Sequence, residues 1–261
     1  MTLTFTHPVP AGRPDAPGPD IGGIPFGRLL RVELSKATDT RAARWLLGLV
    51  GASTVGLTLA PLLAPASIDQ TYTSYLEFAS TALSILLPVV AILTLTSEWS
   101  QRTSLTTFTQ EPRRIRVINA KIVVSLLLSG AAAVFGGLVT AAGLGVAAAS
   151  GRALDANLNA GMVLGFVLFV LFNVLMGVAL GALIHNSAAA IVASFVLPAV
   201  FVALGQASAL VGDWLDPSTI LEWLLNGEWS GHTPQILVSV MLWVVVPLAI
   251  GLVRTVRREV K

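Results

Sequence analysis

The side chains able to form ion pairs or polar contacts gather in two segments. These are PFGRLLRVELSKATDTRAARW at residues 25–45 and SEWSQRTSLTTFTQEPRRIRVINAK at residues 97–121. In the second, Glu98, Gln101, Arg102, Thr103 and Thr106 stand close together, and Arg113 opens a basic run after Pro112. Carboxylate, guanidinium, amide and hydroxyl groups crowded on a short stretch are the chemistry of recognition. Glu98 and Arg102 have the i,i+4 spacing of a helical ion pair, good for about 0.2–0.5 kcal/mol in an isolated helix. Bond-making chemistry finds no such foothold. His7, His185 and His232 are far apart and lack the spacing of metal ligands. A phosphate-binding P-loop needs Gly-Lys-Ser/Thr, whereas Lys36, Lys121 and Lys261 follow Ser, Ala and Val. The chain has no cysteine, so it has no disulfide, thiolate metal site or cysteine nucleophile, and it has no HExxH or GxSxG pattern. It is not expected to be an enzyme or to hold a cofactor or metal of its own.

The frame that positions these groups is apolar. Of 261 residues, 54% are hydrophobic and 11% charged, against roughly 25% charged in an ordinary soluble domain. With a mean hydropathy of +0.79, the chain belongs in a lipid bilayer. A formal charge of +2 is too small to point to nucleic acid. Residues 1–24, rich in Pro and Gly and lacking the apolar stretch of a signal peptide, are expected to be a disordered cytoplasmic tail. Residues 25–261 are expected to form a single all-α transmembrane domain with six spans, near 45–64, 78–97, 119–149, 160–184, 188–209 and 235–253. Each has the roughly 20 residues that a hydrocarbon core of about 30 Å requires, and the third must tilt, kink or project.

Basic residues orient the spans, because Lys and Arg resist translocation. Arg28, Arg31, Lys36, Arg41 and Arg44 precede the first span. Arg102, Arg113, Arg114, Arg116 and Lys121 lie between the second and third, and Arg254, Arg257, Arg258 and Lys261 follow the sixth. With Arg13, 15 of the 16 basic residues share one face, and Arg152 alone marks the other. The second face carries Asp69, Glu77, Asp155, Asp213, Asp216, Glu222 and Glu228. Both termini are therefore expected inside. Trp45 and Trp99 at the inner ends, and Trp214, Trp223 and Trp229 in the last outer loop, hold belt positions. Trp243 is mid-span and is expected to pack against another helix.

No charge falls in the central part of a span, where one costs at least about 2.5–3.5 kcal/mol and is kept for purposes such as proton relay. This argues against a carrier driven by buried carboxylates. Asn173 and Gln206 are the main embedded polar side chains. They serve either interhelical hydrogen bonds or a polar spot on a translocation path.

In residues 25–45, Phe26, Leu30, Leu34 and Ala37 recur at helical spacing with Arg31, Glu33 and Lys36 around them. This predicts an amphipathic helix on the inner headgroups, or else a plain basic anchor. In residues 97–121, Glu98 to Gln110 are expected to form a short helix with Trp99, Leu105 and Phe108 as its apolar contacts, ended by Pro112. Its arginines either fix topology alone or help make a docking knob for a cytoplasmic partner.

These segments resemble the permease subunits of ABC exporters of the second bacterial type. The resemblance rests on ELSKATDTRAARWLL and SEWSQRTSLTTFTQEPRRIRVINAK, and the six spans extend it over roughly residues 28–258. Glu98, Thr103, Pro112, Arg113 and Lys121 fall where such permeases have a glutamate, a threonine, a Pro-Arg pair and a lysine. Arg102 stands where many have glycine. The resemblance implies that the first helix is an interfacial elbow. It implies that residues 98–111 form a coupling helix docking into a separate ATPase, with Glu98, Gln101, Arg102, Thr103, Thr106 and Arg113 as its coupling residues. It further implies two permeases, the second a copy or a relative, working with two ATPase subunits that hold ATP and Mg, in a bacterial cell membrane.

On the outer side, Asp216 and Pro217 start a helix expected over 217–225, with Ile220, Trp223 and Leu224 on one face and Asn226-Gly227 as its stop. Residues of this kind either anchor the loop in the interface or, by the resemblance, close the outer mouth. Small residues recur four apart at Gly48, Ala52 and Gly56; at Gly137, Ala141 and Gly145; at Gly161 and Gly165; and at Gly177 and Gly181. They suit close helix packing. By the resemblance, the first and fifth spans meet a second permease, through Gly48, Ala52 and Gly56 and through Ala189 and Ala193. The expected activity is export of an amphipathic or hydrophobic compound such as a drug, antibiotic or peptide. The alternatives are export of a polysaccharide or glycolipid, and a non-transporting scaffold or sensor anchoring a cytoplasmic partner.

Overall fold

The computed structural model describes residues 24–100, 113–152 and 160–257, and among them there is no β-strand. A first helix, α1 (Phe26–Asp39), leads into α2 (Arg41–Leu63). Then come α3 (Tyr72–Ser100), α4 (Arg114–Ala149), α5 (Ala160–Ile184) and α6 (Ser187–Ala207). Two short helices, α7 (Ala209–Trp214) and α8 (Pro217–Leu225), precede the last long one, α9 (Thr233–Arg257). Six of these, α2 to α6 and α9, are long and apolar enough to cross a membrane. The chain is a multi-pass α-helical membrane protein. Residues 1–23, 101–112, 153–159 and 258–261 lie outside the described residues. The expected N-terminal tail and most of the expected coupling helix are among them.

The spans are not equivalent. α3 and α5 form the centre, with 61% and 67% of their most apolar stretches buried, whereas α6 has 11%. Centrality follows from small residues that let backbones approach. A Cβ placed on Gly177 of α5 would lie 2.7 Å from the carbonyl oxygen of Pro88 in α3. One on Gly251 of α9 would lie 2.5 Å from the backbone of Ala182 in α5, and one on Gly165 would run into the carbonyl oxygen of Leu224 in α8. Without side chains at these positions, dispersion contacts between backbones replace the hydrophobic drive that lipid removes.

The structure corrects the expected packing of the α4 glycines: those facing the bundle lie one residue before Gly137 and two before Gly145. Gly136 faces Leu83 and Phe166, and Gly143 faces Tyr75, whereas a Cβ on Gly137 or Gly145 would meet nothing within 4 Å. The same open surroundings hold at Gly48 and Gly56, where the exposed stripe Gly48, Ala52, Gly56 points away from the bundle. On α6, Ala189 is exposed and Ala193 half-buried.

α9 is interrupted by a π turn at Met241–Val245. Trp243 within it packs edge-on against Phe201 of α6, ring centres 5.0 Å apart, and donates from Nε1 to the Leu215 carbonyl at 2.9 Å. Between α5 and α6 the chain reverses at His185, whose φ of 55° is costly for a side chain with a Cβ. Asn186 then caps α6 by accepting from the Ala189 amide at 3.0 Å.

Candidate functional site: an ion-pair network at the basic end

At the end of the bundle that carries most of the basic residues, α1 packs against α4 and α2 and is joined to α3 and α4 by ion pairs. Lys121 of α4 pairs with Glu33 of α1 and lies 2.8 Å from Glu98 of α3. Lys36 of α1 lies 2.7 Å from Glu33 and 3.3 Å from Glu98. The side chains of Lys121, Glu33 and Glu98 are at most 3% exposed. Lys121 also donates to the Thr94 carbonyl at 3.1 Å and to Ser97 Oγ at 3.0 Å. Two acids and two lysines thus cancel one another, which is the condition for keeping charge out of water. Burial alone would depress the Lys36 ammonium. Its hydrogen bond to Glu33 and the charges of Glu33 and Glu98 outweigh that effect and hold it above the ordinary lysine value.

This network corrects two expectations. Glu98 was expected on the projecting segment. It belongs instead to the last turn of α3 and is turned inward onto Lys121 and Lys36, so it has no surface to offer a partner; its expected pairing with Arg102 lies outside the described residues. Glu33 was expected on the polar side of an amphipathic helix lying on headgroups. It is one of the two buried residues of α1, with Leu29 one turn before it, while Phe26 and Leu34 point outward. Of the apolar stripe of α1, Phe26 and Leu34 therefore face away from the bundle while Leu30 and Ala37 are half-buried, and the carboxylate faces in. The readable signal was Lys121 itself, a lysine inside an apolar run that calls for a counter-charge.

Arginines at this end bond backbone carbonyls as well as marking a face. Arg114 donates to the Thr255 carbonyl at 3.0 Å and Arg254 to the Leu183 carbonyl at 2.7 Å, each near the end of a helix where carbonyls lack partners. Arg116 donates to the Ile24 carbonyl at 2.6 Å, tying down the chain before α1. Arg113 is exposed just ahead of α4. Trp99 meets the ring of His185 edge-on at 4.5 Å, and His185 Nε2 lies 2.7 Å from Thr255 Oγ1. Gln101, Arg102, Thr103 and Thr106 lie outside the described residues.

The remaining predicted polar residues are not brought together. Asn173 is buried in α5 and donates to the Phe169 carbonyl of its own helix at 3.1 Å. Gln206 is exposed near the end of α6. Among the described residues, no group of three His, Asp or Glu side chains could hold a metal ion.

The opposite end carries α8, packed against α5 and α6. Asp216 Oδ1 accepts from the Ser218 amide at 2.8 Å, with Pro217 at the first helical position. Ile220 and Leu224 are buried, and Trp223 stacks on His232 at 3.8 Å. Arg152 donates to the Leu62 carbonyl at 2.9 Å.

Comparison of the chain with protein-family models and with curated proteins finds no match.

Proposed function

We propose that this chain is the membrane permease subunit of an ABC exporter. It would move an amphipathic or hydrophobic compound out of a bacterial cytoplasm with energy from a separate ATPase. The observation that carries the reading is the network joining α1 to α3 and α4. Glu98 and Lys121 stand on either side of residues 101–112, and their 2.8 Å contact closes the base of that segment. Glu33 and Lys36 extend the closure to α1. A segment pinned at its base can transmit the push of a partner into α3 and α4, and α3 lies at the centre of the bundle. A hinged loop would absorb the same push. The absence of a Gly-Lys-Ser/Thr loop is in keeping with ATP hydrolysis on another subunit. The 15-to-1 division of basic residues supports placing both termini in the cytoplasm.

The test uses Arg102→Glu combined with Thr103→Pro in the full chain together with its ATPase. Insertion should survive, because Arg113, Arg114, Arg116 and Lys121 still mark the inside. Transport and permease-stimulated ATP hydrolysis should collapse. Normal insertion with wild-type transport would remove residues 98–111 from the coupling role. Co-purification with a kinase, ligase or protease in place of an ABC ATPase would favour a scaffold.

A further inference from the structure

A cavity of about 860 Å³ lies beside the ion-pair network, between α1, α2, α3 and α4. Its chemistry changes along its length. Arg28, Lys36 and Glu98 mark one end, and Leu47, Val90 and Leu93 line the other. Val90 and Glu98 are eight residues apart on α3, about 12 Å at roughly 1.5 Å per residue. Because α3 is a spanning helix, the cavity descends from headgroup depth into hydrocarbon. Val32 and Leu93 on its wall are 46% and 39% exposed, so its apolar wall is accessible. Its charge is unbalanced. Glu33 and Glu98 are cancelled by Lys36 and Lys121, and no carboxylate among the described residues pairs with Arg28, which leaves one positive charge at the polar end.

We propose that this cavity binds one anionic phospholipid of the leaflet at the basic end, with the phosphate at Arg28 and an acyl chain along Leu47, Val90 and Leu93. A phospholipid presents charge first and hydrocarbon below it, the order in which the cavity walls change. A net negative headgroup balances Arg28. A zwitterionic one brings its own cation beside Arg28 and Lys36. The inference needs only the membrane-spanning fold and stands apart from any transport reaction.

The test is native mass spectrometry of the purified full chain, titrated with phosphatidylglycerol and phosphatidylcholine of identical chains. The wild type should retain one phosphatidylglycerol in preference to phosphatidylcholine. Arg28→Gln should reduce that preference about fivefold, the worth of one basic side chain at an anionic surface. Ala43→Trp, which places an indole in the cavity wall, should abolish retention of both lipids. Arg28 is exposed, so Arg28→Gln is decisive even if Ala43→Trp fails to fold. Equal retention of the two lipids by the wild type overturns the proposal, as does an unchanged preference in Arg28→Gln. So does a cell-derived compound other than a lipid that resists displacement by phosphatidylglycerol and disappears in Ala43→Trp.

Discussion

Lys121 carries a positive charge at a position 2% exposed and answers two carboxylates at once. Removing one member of a buried ionic network leaves the others uncompensated, and that is the expensive kind of change. Lys121→Met should destabilise the protein by about 3–5 kcal/mol, measured by denaturant unfolding in detergent. Adding Glu98→Leu should recover part of the loss, since it removes one stranded carboxylate. A single-mutant loss below about 1 kcal/mol would mean that water reaches the network. Lys36 supplies a pH test. Its folded-state value is raised above 10.5, so its contribution is complete below 10.5 and is lost as pH rises through the folded value. The stability difference between wild type and Lys36→Met should therefore stay constant from neutral pH to about pH 9 and shrink only above 10.5. A difference that shrinks toward neutral pH would contradict the pairing.

At the scale of elements, close helix approach sets the constraints. Gly177→Ala places a methyl against the Pro88 backbone, which cannot give way as a side chain would. The cost should be about 1–3 kcal/mol, read from the same unfolding curves. Gly137→Ala, where a Cβ meets nothing within 4 Å, is the matched control. Asp216→Ala should cost about 1 kcal/mol through loss of the α8 cap. The spans were legible because a bilayer imposes length and hydropathy on any helix that crosses it. α8 was legible because Asp216-Pro217 and Asn226-Gly227 are local signals. The inward face of α1 was not legible. Periodicity assigns Glu33 to the polar side, and its burial becomes tolerable when Lys121, distant in sequence, joins Lys36 as its counter-charge. The α4 glycines failed for a related reason. Spacing four selects Gly137, Ala141 and Gly145, whereas the glycines that face the bundle, Gly136 and Gly143, are seven apart, and the choice rests on where Leu83, Phe166 and Tyr75 project.

At the scale of the molecule, charge separation predicts sidedness. The chain has no cysteine, so a single introduced thiol reports without background. Ser230→Cys, exposed at the end away from the ion-pair network, should react with an impermeant maleimide on intact cells. Ser35→Cys, exposed on α1, should react only after permeabilisation. Reaction of Ser35→Cys on intact cells would invert the topology. The uneven burial of the spans adds a second expectation. Apolar exchanges should be tolerated broadly along α6 and poorly along α5.

The π turn in α9 gives that helix one residue of slack. A π turn holds an extra residue within an otherwise α-helical segment. Deleting one residue between Met241 and Val245 would let the turn relax to an α turn, with almost no change in hydropathy. The turns on either side would keep their phase, so Gly251 should stay on Ala182, Arg254 on the Leu183 carbonyl and Thr255 on His185. Inserting one residue there instead overfills a turn that already holds a surplus, and everything beyond it would rotate by about 100°. One helix would thus be thrown out of phase with α5 along its last three turns by an insertion, and left in step by a deletion at the same place.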